Sequence, residues 1–276
     1  MPARSYLYVP GDRPDRLEKA LSRAGDAVIA DLEDAVAPSR KDAALAAVLE
    51  WLGSLDEGGP EIWVRIGPGP RAVDELAAVG ASPRLTGVIL AKADLAALAD
   101  ADRVLPPSAG VGALVETAAS LLALPELARH PRVRRLGLGE ADLAAELGIA
   151  RDELSVLGPI RAQVVVASAA AGIAAPTGPV HLDVRDHDGL RSSTLALKRA
   201  GFGARSAIHP DQVAVIELAL SPTPEEVAQA RSTTRAWDAA VASGTGVAVD
   251  DHGRMVDEAV VRIARRTVET ADRLGL

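Results

Sequence analysis

Short apolar runs recur along the chain, separated by longer stretches with apolar residues every three or four positions. Runs of the first kind predict strands, and stretches of the second kind predict amphipathic helices. Strands are expected at 5–10, 27–32, 61–66, 87–91 and 111–116, at the stretch from Arg134 into Gly137-Leu138-Gly139, and at 179–182 and 204–208. Helices are expected at 13–24, 39–52, 72–79, 93–103, 118–129, much of 141–172, and 189–200. Ser39 and Asp42 have the spacing of a capping box at the start of the second helix. Beyond the last strand, 222–242 reads as a helix, 243–246 as a Gly/Ser linker, and 255–274 as a final amphipathic helix.

Eight strands alternating with helices favour a (β/α)8 TIM barrel with a C-terminal helical extension over a doubly wound sheet. The expected division is a barrel at 1–220 carrying the metal and substrate site, and a helical arm at 221–276 that contacts a neighbouring subunit. Polar residues strengthen the barrel reading. Asp31, Arg65, Lys92, Glu116, Asp142 and Asp183 all fall at or just beyond the carboxyl ends of predicted strands. In a barrel those ends converge on one rim, where such folds place their chemistry. Strand alternation gives Gly112 and Leu114 the parity of Glu116, Glu61 and Trp63 that of Arg65, and Val88 and Leu90 that of Lys92.

Composition narrows the function. The 276 residues are 48% hydrophobic but only 2% aromatic, so the core must be aliphatic. With no Cys there are no disulfides and no thiolate metal sites. A net charge of −8 without a Lys/Arg cluster argues against nucleic acid as a partner. No apolar signal core opens the chain and no continuous apolar run approaches a membrane span, so a soluble cytoplasmic protein is expected.

Glu116 and Asp142 end neighbouring strands, which lie about 5 Å apart, so the two acids can share an ion. Two carboxylates completed by water suit Mg²⁺. The alternative is that they only cap the helices that follow. Arg65 suits a bidentate clamp on a substrate carboxylate, or an ion pair with Asp31 or Glu33. Lys92 could form a Schiff base or balance the acidic rim. Gly137-Leu138-Gly139 lets backbone approach a ligand but lacks the third glycine of a dinucleotide fingerprint. His209 reads as a structural residue, and the other histidines as surface or packing residues. Asp257 reads as a helix N-cap or first-turn acid.

Seven segments in order resemble the citrate lyase β-chain group and the wider HpcH/HpaI aldolases, with malyl-CoA and citramalyl-CoA lyases among them. They are Leu7-Tyr8-Val9-Pro10-Gly11-Asp12-Arg13-Pro14, Asp31-Leu32-Glu33-Asp34-Ala35-Val36, Val64-Arg65-Ile66, Leu114-Val115-Glu116-Thr117, Leu138-Gly139-Glu140-Ala141-Asp142-Leu143, Ile208-His209-Pro210 and Gly253-Arg254-Met255-Val256-Asp257. The resemblance implies Mg²⁺ on Glu116 and Asp142, with Glu33 and Asp34 just outside the ligands, and Arg65 on the oxo-acid. It implies that Tyr8, Lys19 and the backbone at Ser206 and Ala207 hold a coenzyme A thioester. It also implies that Asp257 exchanges the proton at the thioester α-carbon, delivered from the neighbouring subunit of a trimer or hexamer. Three departures bear on substrate identity: Gly67 where Asn is common, Ala91 where Pro is common, and Ala207 where Cys is common.

The implied activity is Mg²⁺-dependent, reversible carbon–carbon cleavage of a β-hydroxyacyl-CoA such as malyl-, citramalyl- or citryl-CoA into an acyl-CoA and an α-oxo acid. Rival readings are a metal-dependent aldolase of free hydroxy-oxo acids and a carrier-dependent or non-catalytic subunit of a larger lyase complex.

Overall fold

A computed structural model describes residues 3–276. Within it, eight parallel strands close into a barrel in sequence order, and the last pairs with the first through Ser5–Arg205, Tyr6–Ser206 and Leu7–Ala207. The elements run β1 (Ser5–Pro10), α1 (Pro14–Ala20), β2 (Ala27–Asp31), α2 (Lys41–Ser54), β3 (Glu61–Ile66), α3 (Ala72–Gly80), β4 (Gly87–Leu90), α4 (Leu95–Val104) and β5 (Gly110–Val115). They continue with α5 (Ala118–Leu122), α6 (Leu124–Arg129), β6 (Val133–Leu138), α7 (Glu140–Leu147), α8 (Leu154–Ala171), β7 (Ala174–Gly178), α9 (His187–Arg199), β8 (Ala204–Ala207) and α10 (Pro210–Leu220). The expected (β/α)8 architecture is formed.

The period-two pattern divides each strand between two apolar layers. Leu7, Val9, Val28, Ala30, Ile62, Val64, Val88, Leu90, Val111, Ala113, Leu136 and Leu138 face the helices in the main core. Tyr6, Ala27, Ile29, Trp63 and Ala204 face the barrel interior, with Tyr8 and Ile89 against them. With so few aromatics, each fully buried aliphatic side chain supplies about 1.5–3 kcal/mol, and the core is the sum of many such residues.

The interior is stepped across β3 to β6. Trp63 pairs in register with Gly87, Ile89 with Gly112, and Leu114 with Gly137. A methyl group added at Gly87 would meet the Trp63 ring at 2.5 Å, one at Gly112 the Ile89 Cδ1 at 2.5 Å, and one at Gly137 the Leu114 Cδ1 at 3.0 Å. Each bulky side chain therefore fills the space its neighbour's missing side chain leaves. The same relation continues at the rim, where a methyl at Gly139 would stand 2.5 Å from Glu116 Oε2.

Some local expectations fail for identifiable reasons. The seventh strand is Ala174–Gly178 rather than 179–182. Pro176 cannot donate to the ladder, and the pairing with β6 is irregular between Arg135 and Gly137. Pro179, Val180 and Leu182 are apolar because they line a cavity. Asp183 is consequently in the turn before α9, where its carboxylate accepts the Arg185 amide. The expected 118–129 helix breaks at Ala123 into α5 and α6; Pro125 lacks an N–H and its ring would clash with the carbonyl four residues back. The Ser39–Asp42 capping box is not formed: Ser39 lies in a 3-10 turn, Pro38–Arg40, and Asp42 pairs with Arg71.

α8 is long and apolar enough on average to cross a membrane. In this barrel it packs Leu157, Ile160 and Val164 inward and carries Arg161.

The remaining residues form a second compact unit, Ser221–Leu276. It contains α11 (Pro224–Ala242), β9 (Ala248–Val249), β10 (Met255–Val256) and α12 (Glu258–Leu274). A Thr223–Glu226 capping box starts α11. The expected 255–274 helix starts three residues late because Met255 and Val256 pair antiparallel with Val249 and Ala248. Asp250 holds the hairpin turn by accepting from the amides of His252 and Arg254 and from the Arg254 and Gln229 side chains. That cluster of donors pulls its carboxyl down to about 2.

Candidate active site

At the carboxyl end of the barrel a cavity of about 510 Å³ is lined by Tyr8, Asp31, Asp34, Arg65, Glu116, Gly139, Glu140, Asp142, Arg151 and Ser206, with Leu114 and Leu138 among its apolar walls. The strand pattern puts the acids there: β2 ends at Asp31, β3 carries Arg65, β5 runs into Glu116, and Asp142 lies in the first turn of α7.

Glu116 is 3% exposed. It does not cap the following helix, because the Thr117 side chain accepts the Ser120 amide in that role. Its Oε1 accepts the Lys92 amide at 2.7 Å, and its Oε2 lies against Gly139. Burial pushes its carboxyl up to about 7, with the charges of Asp142 and Glu33 adding to the effect and Lys92 opposing it. A buried carboxylate among other carboxylates is relieved by protonation or by a cation. The donors are all oxygens, and no group of three His, Cys, Asp or Glu residues among those described could enclose a metal ion. Two carboxylates and a roomy cavity fit a hard divalent ion that keeps several waters.

Next to this pair lies an ion network. The Arg65 guanidinium forks onto Asp31, Nε to Oδ1 at 2.7 Å and Nη2 to Oδ2 at 2.6 Å, and its Nη1 is 3.1 Å from Glu33 Oε2. The ion-pair alternative for Arg65 is therefore real. It leaves donors over, since Asp31 and Glu33 engage three of five N–H groups. The Arg65 guanidinium also stacks over the Tyr8 ring at 4.9 Å. Burial and the Arg65-bound acids raise the Tyr8 hydroxyl, so it stays protonated. Asp31 also accepts the amides of Glu33 and Ala35, which shapes the loop after β2. Burial raises Glu33, but the Asp34 hydrogen bond, Arg65 and Lys92 outweigh it and hold the carboxyl low. Asp34 moves the other way, through burial and the Glu33 charge.

Lys92 links both groups. Its Nζ is 2.9 Å from Glu33 Oε1 and 3.6 Å from Asp142 Oδ2. Val88 and Leu90 face the helices, so parity alone would carry Lys92 away from the rim. A left-handed backbone turn at φ 47° brings it back.

A second cavity, about 310 Å³, adjoins the first at Tyr8 and Ile208 and runs along α1. Arg16, Lys19 and Arg23 line it together with His209 and Pro210. Arg23 pairs with Asp211, whereas Arg16 and Lys19 have no carboxylate within 4 Å among the described residues. Ser206 lines the first cavity, and Ala207 is fully buried against the helices. His209 sits 3.5 Å from Asp211 through Nδ1. In the other unit, Asp257 is the N-cap of α12, its Oδ1 accepting the Val260 amide at 2.9 Å.

Sequence reasoning passed over three side chains here. Arg16, on α1, and Arg23, in the turn after it, line the second cavity with Lys19, and their three- and four-residue spacing was the available signal. Arg151, in the turn after α7, lines the cavity without any signal in the sequence.

Comparison with known proteins agrees with this geometry. Residues 4–210 match the family HpcH/HpaI aldolase/citrate lyase. A (3S)-malyl-CoA thioesterase of Cereibacter sphaeroides is 34% identical over 281 residues, covering 99% of this chain and 96% of the relative. An L-malyl-CoA/beta-methylmalyl-CoA lyase of the same species is 31% identical over 311 residues, at 99% and 96% coverage. Among solved structures, CitE of Mycobacterium tuberculosis, in complex with magnesium, acetoacetate and coenzyme A, superposes with a TM-score of 0.81 at 32% identity, covering 98% of each chain.

Proposed function

Because the chain belongs to the HpcH/HpaI aldolase/citrate lyase family and is similar to an L-malyl-CoA/beta-methylmalyl-CoA lyase, we propose that it cleaves, reversibly, a β-hydroxyacyl-CoA into an acyl-CoA and an α-oxo acid, with Mg²⁺ held by Glu116 and Asp142. The observation that carries this reading is the junction at Tyr8 and Ile208 between an acid-lined cavity and a groove edged with cations. A substrate with an oxo-acid head and a polyanionic tail matches the two halves. The CitE complex with magnesium, acetoacetate and coenzyme A supports it.

In the forward direction the substrate hydroxyl gives its proton to solvent water and the Cα–Cβ bond breaks. The bonding pair passes to the thioester enolate, whose α-carbon then takes a proton. Mg²⁺, when bound, supplies Lewis-acid polarisation of the hydroxyl and carboxylate oxygens of the departing fragment. Glu116 and Asp142 hold the cation, and Gly139 keeps the space beside Glu116 clear. Arg65, fixed by Asp31, turns its remaining N–H groups to the oxo-acid carboxylate and stabilises charge there. Arg16 and Lys19 receive the coenzyme phosphates, with Tyr8 and the Ser206 and Ala207 backbone along the thioester arm. Asp257 donates the final proton and takes it back in condensation. Its place in a separate unit, Ser221–Leu276, supports delivery to the neighbouring protomer of a homotrimer or hexamer.

The test is a panel of malyl-, citramalyl-, citryl- and hydroxymethylglutaryl-CoA given to the purified chain with and without Mg²⁺, with oxo acid and free thiol measured separately. Mg²⁺-dependent oxo acid without free thiol is the expected result. Free thiol without oxo acid makes the chain a thioesterase, as its relative of that name suggests. Turnover of free hydroxy-oxo acids alone, or only with an added carrier subunit, overturns the CoA reading.

A further inference from the structure

Lys92 is the one non-glycine residue among those described with a positive φ, at 47°. Only glycine visits this conformation freely, and such strain concentrates at functional sites. The turn has two effects at once. It directs the Lys92 amide onto Glu116 Oε1, and it swings the side chain from the helix-facing parity of Val88 and Leu90 onto the rim. There the ammonium donates to Glu33 at 2.9 Å and stands 3.6 Å from Asp142.

We propose that Lys92 is a positioning residue with two separable parts: its turn aims Glu116, and its ammonium is the resident counter-ion of Asp142, which a divalent cation must displace. This rests on the metal reading above. The contact lengths assign the two roles of the ammonium. Glu33 holds it by a hydrogen bond, whereas Asp142 feels it at ion-pair range and can release it without losing a hydrogen bond. The arrangement keeps rim acids from repelling one another before the cation arrives. It also makes cation binding weaker than bare carboxylates would give.

The parts can be separated at one position. Glycine adopts φ 47° without strain, so Lys92→Gly keeps the amide in place and deletes only the ammonium. Lys92→Arg keeps the charge. Lys92→Val puts a β-branched side chain where that backbone is an outlier, and so disturbs the turn. Calorimetric titration of the full chain with MgCl₂ should show Lys92→Gly binding about five- to tenfold more tightly than wild type, as expected for removing one competing charge at this range. Lys92→Arg should stay within about twofold of wild type, and Lys92→Val should bind more weakly than Lys92→Gly. Without metal, Lys92→Gly should also melt below wild type and gain more from saturating Mg²⁺.

Lys92→Gly binding Mg²⁺ as wild type does, or more weakly, overturns the counter-ion role. Lys92→Val binding as tightly as Lys92→Gly, which shares its loss of the ammonium, overturns the role of the turn; if that variant does not fold, Lys92→Thr, equally β-branched and without the ammonium, takes its place in the comparison. A wild-type chain that takes up no Mg²⁺ removes the metal reading itself, a different result from unequal affinities among variants.

Discussion

Glu116 and Asp257 carry the proposed chemistry from opposite surroundings. Glu116 is buried, receives one amide from a strained turn and rests on a glycine. Its carboxyl is pushed up to about 7 by that burial. Asp257 begins a helix, uses one oxygen as a cap and belongs to a unit built from two helices and a two-residue ladder. The difference teaches how a lyase can divide its labour. A metal ligand must be fixed before substrate arrives, because misplacement weakens every later step. A proton donor needs only to reach one carbon, and a capped helix terminus keeps a free oxygen for that.

The sharpest break of this comparison is Glu116→Ala. It should abolish measurable Mg²⁺ binding in calorimetry and lower turnover by about a thousandfold or more. The metal-free Tm should stay within about 3 °C of wild type, since a carboxylate among acids is lost along with its hydrogen bond. Asp257→Ala should behave differently: Mg²⁺ affinity unchanged, turnover down by about 10²–10⁴. Mixing the two inactive variants after dissociating and reassociating their oligomers should restore part of the activity. A mixture as dead as its parents, with subunit exchange demonstrated, rules out sharing between protomers.

A smaller effect sharpens the buried half. Gly139→Ala places a methyl 2.5 Å from Glu116 Oε2. Overpacking of this kind costs about 1–3 kcal/mol, so Tm should fall by roughly 2–8 °C. Mg²⁺ affinity should fall about tenfold as Glu116 is displaced. Unchanged affinity by calorimetry would show that the glycine is not needed for the ligand.

The smallest effect sharpens the half that carries Asp257. Asp250 has its carboxyl depressed to about 2 in the folded hairpin, against about 3.9 in an unfolded chain. Its contribution is therefore complete above about pH 4 and is lost as pH falls towards 2. Amide exchange at His252 and Arg254 should quicken over that window, and Asp250→Asn should show fast exchange already at neutral pH.

The barrel was legible because its strands are apolar on both faces and end in charge, a pattern that survives ignorance of every contact. The Glu116 and Asp142 positions were legible for the same reason. Lys92 was legible as a rim residue that balances the acids, but the turn that brings it there was not: its parity points the wrong way, and nothing in Ala91-Lys92-Ala93 announces a left-handed turn. Strand seven was misplaced because Val180 and Leu182 are apolar to serve a cavity rather than a sheet. Arg65 shows a third limit. A strand-end arginine is equally an ion-pair partner and a clamp in sequence, and only the fork on Asp31 shows which of its edges is taken.

The stepped packing of β3 to β6 limits how the pocket can be redesigned. Leu114 is part of the cavity wall and leans on Gly137. Enlarging the space by trimming Leu114 alone opens a void beside a glycine that has nothing to fill it. Reducing the space by enlarging Gly137 alone drives a methyl into Leu114. Only paired exchanges, the large residue moved to one strand as the small one moves to the other, keep the volume constant. Substrate range in this scaffold should therefore shift through coupled changes on adjacent strands, and libraries that vary Leu114 and Gly137 together should recover folded variants that single-site libraries miss.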